Sequence, residues 1–388
     1  MEGYFSKRQL SVLRSTVCKN VHDENIFDFC LKIKIPSFES TISSINSNIK
    51  RFIMVRHIKD LCCSWLEKYM VEVDHLVIIR WFYTQKLIDF HPKDPLFPNC
   101  TDRNEGLYHE LRKGGVPEKE IIHFENLINQ MVRSFNIVDI EDKRNVTILE
   151  EGNIIKLCYD NKSFQLNKTY YQNLYNQLTD ISVNARLSKM FNLLCRYTTF
   201  SAPGYHAAIP VKVFDVLIKY LKVEHEIFAS PLNRTLESYT SAYPDVDKYF
   251  GSKGDFFHVY PKLFENGGSF EANPPFLEEY MTAFALIAVH YLSKDIPLSF
   301  VVIVPAWTDT ILYHIFVTSS YNVLPNKYLS FGRHEHCYRH GSDYAYVNES
   351  KRPANNRSFI FILQNKLGQI KYPVTGPFIE EVGLSFAI

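Results

Sequence analysis

Nowhere in the 388 residues does a Gly-x-Gly triplet occur, although there are 15 glycines. The standard glycine-rich turn that lets a dinucleotide pyrophosphate approach the backbone is therefore absent. The eight cysteines, at 18, 30, 62, 63, 100, 158, 195 and 337, contain no Cys-x-x-Cys pair; free thiols in a reducing compartment fit best. Excess charge is missing too. Lys and Arg total 43 against 42 Asp and Glu, a net charge of +1, so no global positive field marks a coat for long nucleic acid, and any nucleic acid should be short or locally gripped. The apolar stretch 283–292 contains His290 and reaches only half of the ~20 residues of a membrane helix. Met1-Glu2-Gly3-Tyr4 is followed by Lys7-Arg8 with no apolar run behind them, so we expect an intracellular protein without membrane attachment.

A chain of 45.3 kDa with 46% hydrophobic and 22% charged residues buries a sizeable core, most naturally as two domains. Up to about residue 150 Pro and Gly are sparse, and residues 53–71 keep apolar positions at helical spacing. Gly114-Gly115, Pro117, Glu118 and Glu120 read as a turn feeding a helix, since proline and acids both suit a helix N-terminus. Asp160-Asn161-Lys162 separates two short alternating runs, a β-hairpin near 153–166. Ser201-Ala202-Pro203-Gly204 is the best boundary, giving a mainly helical domain at 1–200 and a second domain at 201–388. Within the latter, helices at 211–221 and 277–292 lead to strands at 225–229 and 298–304, the alternation of an α/β sheet covered on both faces.

The chemistry concentrates in Asn273-Pro274-Pro275-Phe276, which sits between a strand at 270–272 and an apolar helix, at the ligand-binding edge of such a sheet. The exocyclic amine of adenine is a poor nucleophile, because its lone pair is delocalised into the ring. The Asn273 amide oxygen and the Pro274 carbonyl can each accept one of its N–H groups and so aim the lone pair at a methylsulfonium carbon. Phe276 would stack on the base. Pro274 and Pro275 lack an N–H and fix φ, holding an extended turn with carbonyls free for a ligand. The plainer reading is a proline turn that starts the helix. After the strand at 225–229 come Ser230-Pro231-Leu232-Asn233 and, later, residues 245–254. Small Ala229 and Ser230 permit close approach, and Asn233 and Asp247 offer polar contacts, as a cofactor loop without glycine would; loop turns and caps are the alternative.

Five ordered blocks carry a resemblance. They are Phe228-Ala229-Ser230-Pro231-Leu232-Asn233; Ser241-Ala242-Tyr243-Pro244-Asp245 with Tyr249-Phe250-Gly251-Ser252; residues 268–276; residues 298–307; and Phe361-Ile362-Leu363-Gln364-Asn365. Over residues 194–365 the chain resembles the phosphorylated-CTD-interacting-factor family of cap-specific adenosine N6-methyltransferases. The resemblance implies a Rossmann-like class I methyltransferase core with an N-terminal mainly helical domain. It also implies S-adenosyl-L-methionine as donor and m7G-capped RNA beginning with adenosine as acceptor. Ala229, Ser230, Pro231, Asn233, Asp247, Phe250, Gly251, Ser252 and Glu271 would line the donor site. Asn273, Pro274, Pro275 and Phe276 would hold the target base, with Trp307 and Arg339 as further substrate contacts. A nuclear location follows by resemblance, with the cytoplasm also open. The same chemistry on another amine, such as DNA adenine, and capped-RNA binding without turnover are the rival readings.

Three departures stand out. Trp65 and Trp81 lie too close together, in a helical pattern, for the WW domain of animal members, so direct binding to a phosphorylated polymerase tail is doubtful. Ala306 stands where the family commonly has Glu, and the segment after Asn365 is unlike the family. The run Arg333-His334-Glu335-His336-Cys337-Tyr338-Arg339-His340 invites a zinc reading, but a nucleic-acid-facing loop accounts for it more simply, and no metal is expected. Lys351, Arg352 and Arg357 either extend that basic strip or form a solvated face. Trp307 could stack on the target or on methylguanine, or pack in the core.

Overall fold

The structure is a computed structural model, and it describes residues 30–33, 41, 43–68, 76–85, 87–91, 94–99, 107–108, 111–112, 114–135, 144–201, 206–346 and 351–388. The chain divides into two compact units, Lys34–Pro203 and Gly204–Ile388, the latter joined by Met1–Ile33. In the first unit, α1 (Ile45–Lys68), α2 (Leu76–Gln85) and α3 (Glu118–Ser134) accompany a short strand pair, β1 (Phe90–His91) and β2 (Asp94–Pro98). Helix α3 follows Pro117 as the acidic first turn predicts. The predicted hairpin is β4 (Ile154–Tyr159) and β5 (Lys162–Asn167), with Asp160 at φ 53° in the turn. A third strand that periodicity did not predict, β3 (Thr147–Glu151), pairs with β4; its residues are all exposed and so carry no apolar alternation. Helices α4 (Lys168–Asn176) and α5 (Val183–Thr199) complete the unit. Its interior holds a polar knot in which the Arg51 guanidinium pairs with Asp94 at 2.8 Å and both Arg51 and Arg196 donate to Asn48 Oδ1. Trp65 lies on α1, stacked on Phe124, and Trp81 lies on α2.

The second unit runs α6 (Val211–Leu221), β6 (His225–Ala229), β7 (Tyr239–Ser241), α7 (Pro244–Asp247), α8 (Phe256–Leu263), β8 (Gly268–Ala272), α9 (Glu278–Leu292), β9 (Leu298–Pro305), α10 (Ile311–Thr318), β10 (Leu329–Phe331), β11 (Cys337–Arg339), β12 (Lys351–Pro353), β13 (Ser358–Gln364), α11 (Lys366–Lys371) and α12 (Gly376–Phe386). Six strands form one sheet in the order β10-β13-β9-β8-β6-β7. Strands β7, β6, β8 and β9 are parallel; β13 runs against its neighbours β9 and β10. This is a doubly wound Rossmann-like sheet with one reversed strand. β6 turns outward to β7, whereas the chain then returns to place β8 on the other side of β6, so the switch point lies between β6 and β8, where such sheets bind ligands.

The two faces of the sheet differ in their chemistry. Val301 and Ile303 of β9 and Ile360 and Ile362 of β13 join an aliphatic core with α6 and α12. Phe270 and Phe300 point to the opposite side, where they stack on each other; Phe264 meets both edge-on, and Phe284 meets Phe300 edge-on. The segment after Asn365 is part of this core: Phe378, Val382 and Phe386 of α12 are wholly buried. Among the described residues no helix is long and apolar enough to cross a membrane.

Candidate active site

Three loops leave the carboxyl ends of β6, β7 and β8. In the first, the Asn233 and Arg234 amides both donate to the Ser230 carbonyl, at 3.2 and 3.0 Å. Ser230 Oγ accepts from the Leu232 amide and donates to Asn233 Oδ1 at 2.8 Å. Asn233 Nδ2 donates to the His206 carbonyl at 3.0 Å. Both ends of the Asn233 side chain are therefore engaged within the protein, although the sequence marked it for a cofactor.

The second loop is closed by hydroxyls. Ser241 and Ser252 share a 2.6 Å hydrogen bond, and the Gly254 amide donates to Ser252 Oγ. Gly251 has φ 88°, a left-handed value that suits glycine. Asp247 is fully buried and accepts the Tyr243 amide at 3.1 Å, while the Phe250 carbonyl accepts the Tyr239 hydroxyl at 2.6 Å. Asp247 and Phe250 thus shape the loop from inside.

The third loop carries the tetrad. Asn273 Nδ2 donates to the Ala207 carbonyl at 3.2 Å, but Asn273 Oδ1 is enclosed and accepts no hydrogen bond among the described residues. The Leu277 amide donates to the Pro275 carbonyl at 2.6 Å and ties off that acceptor. No hydrogen bond among the described residues reaches the Pro274 carbonyl. The loop therefore holds two acceptors without donors, on consecutive residues, where the sequence predicts a target amine. Phe276 meets Trp307 edge-on at 6.4 Å and Tyr338 at 6.1 Å, so the tetrad and the tryptophan just beyond β9 come together, with Trp307 37% exposed.

Below the loops sits a pair of acids. Glu226 of β6 and Glu271 of β8 are register partners and hence lie on one face of the sheet. Burial pushes the Glu226 carboxyl up to about 7, against two amide donors, Thr235 and Leu236, at 2.7 Å each. Burial raises Glu271 well above the usual carboxylate range; nearby Glu226 adds to this and Arg339 opposes it. Glu271 Oε1 has no partner among the described residues.

Arg339, expected at the substrate, spends its guanidinium inside the protein. Nε donates to the Ile209 carbonyl, and Nη2 donates to the Asn233 carbonyl and Thr235 Oγ1 at 2.7 Å. In the histidine-rich run, His336 is buried. Its Nδ1 faces the Gly332 carbonyl, which only accepts, so Nε2 of the neutral ring accepts from Ser358 Oγ at 2.7 Å, and the Tyr338 hydroxyl donates to Ser358 in turn. No group of side chains fit to hold a metal occurs among the described residues. Arg357 Nη2 donates to Ser330 Oγ, and its carbonyl accepts the Ala306 amide beside Trp307.

Sequence reasoning missed the strap 206–209, Glu226 and Tyr338. Glu226 was visible as a lone acid inside an apolar strand. The strap acts through backbone carbonyls, which leave no mark in a sequence.

The family model described as "Phosphorylated CTD interacting factor 1 WW domain" matches residues 163–341, from β5 to just beyond β11. Over that stretch the chain is similar to the phosphorylated-CTD-interacting-factor family. A human protein named mRNA (2'-O-methyladenosine-N(6)-)-methyltransferase is 30% identical over 249 residues, 61% of this chain and 35% of that protein. The mouse protein of the same name is 28% identical over 292 residues, 71% of this chain and 40% of the relative. The chain thus spans well under half the length of the relatives it matches. Despite the wording of the family description, Trp65 and Trp81 fall outside the matched stretch, and both lie on helices.

Proposed function

We propose that this chain is an S-adenosyl-L-methionine-dependent RNA methyltransferase that acts on the N6 amine of the first adenosine after an m7G cap. The observation that carries the reading is Asn273 Oδ1, enclosed and without a donor among the described residues, beside the Pro274 carbonyl at the switch point of the sheet. A buried acceptor left without a donor costs about 1–3 kcal/mol, a cost that an amine with two N–H groups removes. With both N–H groups held, the lone pair is aimed by positioning alone, without a strong base. Phe276, half-buried beside Trp307 and Tyr338, would offer an aromatic surface for a base.

A donor fits the residues beside this point. Ala229, Ser230 and Pro231 line the end of β6, the turn from Phe250 to Ser252 adjoins β7, and Glu271 Oε1 is a buried acceptor in want of a donor. These residues would hold S-adenosyl-L-methionine, which supplies a methyl group on a positively charged sulfur. Asn233 and Asp247 would serve it indirectly, by fixing the loops. Trp307 is suited to the cationic ring of methylguanine, and a chain of net charge +1 needs such a local pocket rather than a broad phosphate track.

Labelled S-adenosyl-L-methionine with short RNAs, capped or uncapped and beginning with A or G, tests the reading. Label should enter capped RNA beginning with A and little of the rest. Equal transfer to uncapped RNA would remove the cap, transfer to DNA adenine would favour the related amine chemistry, and capped-RNA binding without transfer would leave a binding protein.

A further inference from the structure

Methyl transfer as proposed needs the oxygen of the Asn273 amide, not its NH2, turned to the amine. We infer that the Ala207 carbonyl fixes this orientation and so makes an amide, rather than a carboxylate, the working side chain at position 273; the inference rests on the methyl-transfer reading above. A carbonyl oxygen only accepts, so the end of the side chain that meets it must donate. Asn273 Nδ2 does so at 3.2 Å, and Oδ1 is left without a partner.

The carbonyl is not free to turn away. One residue earlier, the His206 carbonyl is held by Asn233 Nδ2 at 3.0 Å. One residue later, Ala208 exchanges both backbone hydrogen bonds with Arg339, at 3.2 and 2.7 Å, and the Ile209 carbonyl accepts Arg339 Nε. From above, Gly341 approaches so closely that a Cβ there would lie 2.7–2.9 Å from His206 atoms, two of them backbone. Asn233, Arg339 and Gly341 are thus positioning residues for Asn273, acting through the strap 206–209.

A carboxylate at position 273 would set a lone pair against the Ala207 carbonyl, whereas a protonated carboxyl would donate its O–H there and turn its C=O forward. The titratable groups on the elements that meet here are Glu226, Glu271, Glu278, His206, Tyr338, Arg339, Arg234, whose Nη1 donates to the Leu236 carbonyl, and His340, whose Nδ1 accepts the Ser342 amide. Burial holds His206 down at about 4, and Arg339 is committed to Ile209, Asn233 and Thr235. No uncommitted cation among them favours a new negative charge. The introduced carboxyl therefore has a folded-state pKa above its unfolded value. Its contribution to stability is present at low pH and lost as pH rises through the raised value.

The experiment compares Asn273→Asp with Asn273→Ala and the unaltered chain, in single-turnover methyl transfer and thermal melting between about pH 5.5 and about pH 8.5. Near the upper limit, Asn273→Asp should be as slow as Asn273→Ala, about 10²-fold or more below the unaltered chain. Relative to the unaltered chain, it should recover rate and melting temperature as pH falls, while Asn273→Ala recovers neither. Activity of Asn273→Asp within about threefold of the unaltered chain at high pH overturns the inference, as does a melting deficit that is flat with pH. Absence of methyl transfer in the unaltered chain instead defeats the methyl-transfer reading, and the melting arm still judges the orientation.

Discussion

The loops after β6 and β8 each place an asparagine against a carbonyl of the same strap. Asn233 reaches His206 and Asn273 reaches Ala207, through Nδ2 in both cases. They differ at the other end of the amide. Ser230 satisfies Asn233 Oδ1, whereas Asn273 Oδ1 is enclosed without a donor. The same side chain in nearly the same setting is thus a closed tie in one loop and an open acceptor in the other, which teaches that residue type and position do not separate structural from chemical asparagines. The census of partners does.

The largest effect should come from the open side. Asn273→Ala removes one hydrogen bond, worth about 1 kcal/mol to stability, but deprives the amine of its acceptor and should lower turnover about 10²-fold or more. Single-turnover rates beside melting curves check the split: similar melting with a large loss of rate is expected. On the closed side the balance reverses. Asn233→Ala strands Ser230 Oγ and the His206 carbonyl and should cost about 1–3 kcal/mol of stability in denaturant unfolding. Turnover of the folded fraction should fall by less than for Asn273→Ala. Equal effects of the two variants on rate would erase the distinction.

Much of the second unit was legible in the sequence. Helix 211–221 and strand 225–229 fall at the predicted bounds, and β9 ends one residue later than expected, because apolar runs between polar turns leave little freedom of register. The place of the tetrad between a strand and a helix was legible, because prolines end a strand and precede a helix start. Partners were not. Asp247, marked as a polar contact for a cofactor, is sealed inside its loop, and Arg339, marked for substrate, binds the protein's own carbonyls. The segment after Asn365, given no role from sequence, supplies α12 to the aliphatic core. Buried polar bonding is a property of three-dimensional neighbours, and no spacing rule encodes it.

A gentler probe of the comparison moves the strap without touching either asparagine. Gly341→Ala puts a methyl against His206 backbone atoms 2.8 and 2.9 Å away, which forces the strap to shift. A displacement of a few tenths of an ångström misaims the Asn273 oxygen more than it strains the Asn233 tie, whose oxygen faces away to Ser230. We expect kcat to fall about tenfold with KM little changed, as for a lost positioning contact. Steady-state kinetics decides, and a rise in KM at constant kcat would point to a strap that serves substrate binding instead.

The smallest effect concerns the acids beneath both loops. Glu226 and Glu271 are register neighbours, and burial raises both above the carboxylate range, Glu226 to about 7. An unfolded glutamate ionises near about 4.3. Each raised carboxyl therefore contributes stability that is fully present below that value and is lost as pH rises through the folded-state value. The chain should accordingly lose stability as pH rises above about 4.3, up to about 7 for Glu226 and further for Glu271, by at most about 1.4 kcal/mol per pH unit for each group that ionises only in the unfolded state. Glu271→Gln removes the group that burial and the Glu226 charge raise, so the loss with pH should become shallower, while Glu226, which ionises beside a neutral neighbour, keeps its own part of the slope. Because the Thr235 and Leu236 amides bind Glu226 alone, that carboxylate retains its donors in the variant. Chemical unfolding at several pH values measures the slope. An unchanged slope would mean that Glu271 ionises alike in the folded and unfolded chain, and that burial beneath the β6 and β8 loops does not raise it.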